Sequence, residues 1–236
     1  IDAKNASVTI EDSEVFASGG DLCAGLRNEN ANVTMRCVRI FAGGSGGDAA
    51  HGIQITDASA FLDHVEISCS NGAPAYGIAC LGTGVGASIT IDHSRIDVST
   101  SMTSDSTAVL ISGGANAEIR RSRLEADGTV KVTGIDIVGS ASVLSGLNVS
   151  VRNGSTECRG LAVSGSGTVR IHDSQLRTEN SETLIAVSLS AETNTVGAGN
   201  CQLDGNLLIQ GTSTIKTINC YDGMLDAITN TTHSGI

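Results

Sequence analysis

Two Asp-His pairs, Asp63-His64 and Asp92-His93, stand 29 residues apart, and Arg120-Arg121 follows 28 residues later. A neutral imidazole or a deprotonated arginine in such a setting can take a proton, for example α to a uronate carboxyl. Paired carboxylates also suit Ca2+. Asp63, His64, Asp92, His93 and Arg121 are therefore the candidate catalytic residues. Ca2+ is the one cation they would take, and no other metal or cofactor is expected. One local fact weighs against catalysis. Successive strand residues face opposite ways, so an Asp and the His beside it share a face only where the backbone bends. An Asp-His pair at a strand rim is usually solvated surface. The residues favour a non-enzymatic protein, with a polysaccharide lyase or glycoside hydrolase as the alternative.

The elements that would position these pairs come from an internal repeat. A segment patterned apolar, polar, polar, small or apolar, polar, apolar occurs seven times. It runs from Ile10-Glu11-Asp12-Ser13-Glu14-Val15 through Met35–Ile40, Leu62–Ile67, Ile91–Ile96, Ile119–Leu124 and Leu144–Val149 to Ile171–Leu176. A second element follows each copy, headed by Gly or Ala: Gly25-Leu26, Gly52-Ile53, Gly77-Ile78, Ala108-Val109, Gly134-Ile135, Gly160-Leu161 and Ala186-Val187. Both alternate with period two and read as strands. Two strands per repeat with a variable loop between them describe one coil of a solenoid, each strand lying about 4.8 Å from its counterpart in the next coil. The fold class is all-β, a parallel β-helix of about eight coils and roughly 40 Å length. Glycine at the head of the second strand marks a close backbone approach. Gly43-Gly44-Ser45-Gly46-Gly47 reads as a loop, since no Lys-Ser/Thr and no helix follow to make a phosphate cradle.

Stacked repeats turn positions into columns. Ile10, Met35, Leu62, Ile91 and Ile119 should form one inward file. Glu14, Arg39, Glu66, Arg95, Arg123, Asn148 and Gln175 should form an outward one, its charges alternating over the first four coils. A third column opens with Thr9 and Thr34 as an ice-binding face would, but Phe61, Glu118, Val143 and Arg170 interrupt it.

These repeats resemble the coils of bacterial right-handed parallel β-helix proteins, the pectate-lyase-like superfold. The resemblance covers about residues 6 to 195. It implies right-handed coils and a secreted protein of a type often without assigned activity. Ile91-Asp92-His93-Ser94 resembles part of the Trp-Ile-Asp-His segment of pectate lyases, without its tryptophan. Arg170-Ile171-His172 only partly matches the Arg-Ile-Lys signature of polygalacturonases, and their paired Asp-Asp is missing. The domain division that follows is residues 1–195 as coils, 196–228 as the last coil and cap, and 229–236 as a tail.

Composition narrows the function. The formal net charge of −11 opposes binding to nucleic acid, which requires a basic face, and the short, broken apolar runs oppose membrane insertion. Aromatics are 2% of the chain, with no Trp, so little is available to stack on sugar rings. The seven cysteines include no Cys-x-x-Cys. Cys69 with Cys80 and Cys201 with Cys220 are plausible disulfides in an oxidising compartment; buried thiols acting as small apolar fillers are the other reading. The sequence thus predicts an extracellular or cell-surface solenoid, structural or adhesive, belonging to a larger protein or assembly. Its partners would be further coils or a second copy at the N-terminal end, and surface polysaccharide. Passive glycan binding is a further alternative.

Overall fold

Each repeat segment bends in its middle. The computed structural model describes residues 1–19, 22–44, 49–82, 87–101, 103–190, 194–222 and 231–234. In it the first copy divides into strands Val8–Glu11 and Glu14–Ser18. Asp12, between them, has a φ of 47°. The same left-handed conformation recurs in later coils at Cys37, His64, His93, Arg121, Gly146, Asp173 and Asn200. The expectation of one straight strand per segment is corrected: two strands meet there at a corner. The polar-polar step of the pattern fits either geometry, because Asp, Asn and His tolerate the left-handed region better than most residues.

The coil therefore has three strands. The second repeat element forms one sheet (sheet I), with strands such as Ala49–Thr56 and Ala75–Leu81. The two halves of the first element form sheets II and III. Among the described residues the sheets hold nine, ten and eight strands. All pairings are parallel except the last, where Thr231–Ser234 lies antiparallel to Thr214–Ile218. A strand at Asp2–Lys4 precedes Val8, so the coils begin earlier than the repeat indicated. The C-terminal segment keeps the pattern further than its sequence showed: Gln202–Asp204 pairs in sheet III and Asn206–Ile209 in sheet I. No described residue is helical. No helix is long and apolar enough to cross a membrane.

The interior is a narrow tube. Ile10, Met35, Leu62, Ile91, Ile119, Leu144, Ile171 and Ala198 are register partners in turn along sheet II. Met35 through Leu144 in that file are fully buried. Each such aliphatic side chain contributes roughly 1.5–3 kcal/mol by leaving water. Sheet I supplies Leu26, Ile53, Ile78 and Val109, and sheet III Ile40, Ile67 and Ile96, all fully buried. Small residues keep the walls close. A Cβ on Gly52 would lie 2.3 Å from the Ile67 side chain and 2.5 Å from the Gly77 carbonyl oxygen.

All seven cysteines are free thiols. The disulfides considered at Cys69-Cys80 and Cys201-Cys220 are not formed. Cys69 and Cys80 fill the core; burial pushes their thiols up to about 12 and about 11, which keeps them protonated. Cys201 and Cys220 sit at successive corners and hydrogen-bond to local carbonyls. Of the Gly43–Gly47 loop, Ser45, Gly46 and Gly47 lie outside the described residues.

Candidate functional site

The corner between sheets II and III brings the two Asp-His pairs together. Asp63 and Asp92 end strands Ser59–Asp63 and Ser88–Asp92 and are register partners in sheet II. His64 and His93 follow at the left-handed turn, with φ of 53° and 43°. The bend swings each imidazole towards the carboxylate before it, which a straight strand would forbid. His64 Nδ1 lies 2.8 Å from Asp63 Oδ1, and His93 Nδ1 lies 3.8 Å from the same oxygen. His93 Nδ1 is also 3.3 Å from Asp92 Oδ1. The two imidazoles stack, with centroids 4.9 Å apart and planes inclined by 17°. That distance is close to the spacing of adjacent strands.

Arg121, one coil further along the corner, grips Asp92 with two bonds. Its Nε donates to Asp92 Oδ1 at 3.0 Å and its Nη2 to Asp92 Oδ2. The His93 amide also donates to Asp92 Oδ1, at 3.0 Å. Partial burial raises the Asp92 carboxyl, but the hydrogen bonds and charge of Arg121, helped by His93, outweigh it and hold its pKa below the usual carboxylate value. All five candidate residues thus converge on one corner. A carboxylate so clamped is a poor proton acceptor. Asp63 is flanked instead by the two imidazoles.

The other columns fall into register as the repeat requires. Glu14, Arg39, Glu66, Arg95, Arg123, Asn148 and Gln175 are consecutive partners in sheet III. Arg39 bridges Glu14 at 3.1 Å and Glu66 at 3.2 Å. The ladder ends there, because Arg95 turns along its own strand to Asp97 at 2.7 Å. Arg120 pairs with Glu118 on its own strand. His172 pairs with Asp173, 3.0 Å away.

A second polar group was missed by the repeat, which was read from the glycine onward. Immediately before Gly52 and Gly77 stand His51 and Tyr76, stacked with centroids 5.1 Å apart on the outer face of sheet I. Burial lowers the pKa of His51. Burial, with the charges of Asp105 and Asp136, raises that of Tyr76. Asp136, on the same sheet, is raised by burial against the pull of Lys131 and Arg159. For His51 and Tyr76 the signal available in the sequence was one position, the residue preceding the glycine.

No protein-family model, curated protein or solved structure matches this chain.

Proposed function

We propose that this chain is a non-enzymatic, extracellular or cell-surface structural module, a length of right-handed β-solenoid that works within a larger rod or assembly. The observation that carries the reading is its uninterrupted register. Among the described residues only one step between coils, near Ile185 and Val187, shifts. Outer charges meet partners within the rod, as at Arg39, Arg120, Arg121 and Arg152. Arginines that are engaged within the rod suit a spacer or adhesive shaft better than an enzyme, whose acid and base groups must be free to exchange a proton.

The strands Asp2–Lys4, Val8–Glu11 and Glu14–Ser18 end their sheets, and in the proposed assembly a neighbouring parallel coil covers them. Phe16, 71% exposed, stacks on Phe41 at 4.9 Å on the outer face beside that edge. Sedimentation over a range of concentrations tests the reading, beside an assay for unsaturated product from polygalacturonate, alginate and hyaluronate. Concentration-dependent association without product supports it. Cleavage of any of these polymers, abolished in His93→Ala, would replace it with a lyase.

A further inference from the structure

We propose that Asp63, His64 and His93 bind a divalent transition-metal ion of the zinc, nickel or cobalt class, clipping two consecutive coils together at the corner. The three ligand atoms lie within 4.8 Å of one another. Around a tetrahedral ion with bonds of 2.0–2.1 Å, ligand atoms stand about 3.3 Å apart. The observed 2.8 Å and 3.8 Å from Asp63 Oδ1 to the two Nδ1 atoms bracket that separation. Rotation of exposed side chains is enough to close the difference.

The fold prepares this arrangement. Consecutive left-handed corners give His64 and His93 the same backbone conformation, which places both Nδ1 atoms beside Asp63; the stacked rings must tilt towards each other for their in-plane lone pairs to meet at one ion. The surrounding cations are engaged elsewhere. Arg121 is spent on Asp92 and Arg120 on Glu118. Arg36, the register partner of Asp63 in the preceding coil, reaches Glu11 at 3.8 Å and lies over the Phe61 ring. Asp63 has the two imidazoles as its near side-chain neighbours, with the charge of Arg121 acting on it from the coil beyond His93. Two nitrogen donors with one oxygen select borderline ions over Ca2+, which takes six to eight oxygens. The remaining coordination positions face solvent and would be filled by water.

The test is calorimetric titration of the purified chain with Zn2+ and separately with Ca2+, together with thermal unfolding in each ion. The expected result is one equivalent of Zn2+, a raised unfolding temperature, and no saturable Ca2+ binding. His64→Ala, His93→Ala and the isosteric Asp63→Asn should each weaken Zn2+ at least tenfold while keeping the β-sheet circular dichroism of the parent. His172→Ala removes an exposed histidine that also stands beside an aspartate, and Cys37→Ser a thiol one coil before His64 in the same corner column; both should bind as the parent does. The proposal is overturned if Zn2+ does not bind, if the histidine variants bind it unchanged, if His172→Ala or Cys37→Ser loses it equally, or if Ca2+ binds as tightly.

Discussion

The inward file of sheet II and the corner column beside it run side by side through the same coils, yet they are built on opposite terms. The file is nearly uniform: Ile10, Met35, Leu62, Ile91, Ile119, Leu144 and Ile171. The corner column reads Asp12, Cys37, His64, His93, Arg121, Gly146, Asp173 and Asn200, with almost no chemical theme. The file is held by close packing on every side, where a lost methylene is felt. The corner asks only for a residue that tolerates positive φ, with its side chain outside. In this solenoid the interior specifies the coil, and the corners are where chemistry can change without disturbing it.

That contrast can be broken most directly from the inside. Ile91→Ala should cost about 3 kcal/mol by leaving a cavity in a fully buried row, read as a lower urea midpoint. A cost no larger than that of a corner substitution would abolish the distinction. Gly52→Ala should cost roughly 2 kcal/mol, because the new methyl meets the Gly77 carbonyl oxygen as well as a movable side chain.

At the corner the sign should reverse. Cys37→Asn places at φ 53° a residue type already used at Asn200, and should stabilise by roughly 0.5 kcal/mol. Destabilisation there would show that the thiol is packed as the interior is.

Asp136 sharpens the comparison through pH. Its native pKa is raised, chiefly by burial, so the folded state prefers the neutral acid. That stability is present at low pH and is lost as pH rises through the raised native value. Asp136→Asn should therefore unfold later than the parent at pH 7, the difference closing towards the ordinary aspartate range near 3.9. The smallest effect belongs to Arg39→Gln. Its two partners and its own side chain are about half exposed, so the change should be visible at low salt and vanish in 0.5 M salt, about where screening falls to a few ångströms.

The two regions also differ in how far they could be read in advance. Period-two alternation and the 25- to 29-residue step placed the inward file and the Glu14 column residue for residue. The alternation of sides does not say where a strand turns. Asp12, Cys37 and Arg121 share no turn signature, so three strands were read as two, and a shared face for Asp63 and His64 was left to depend on a bend in the backbone. Once the corner is known, the Asp-His spacing explains the whole cluster. His51 and Tyr76 were hidden for another reason: they stand before the glycine from which the second element was read, and what buries them there is not written in the repeat.

The parallel ladders join each coil only to the one before and the one after. A molecule so assembled has no keystone. Pulled from one end, it should surrender its length in instalments, one coil at each yield, each releasing about 90 Å of chain for a coil of some 27 residues. Such a rod could absorb a tug by shedding its outermost turn and rewinding it when the load is gone.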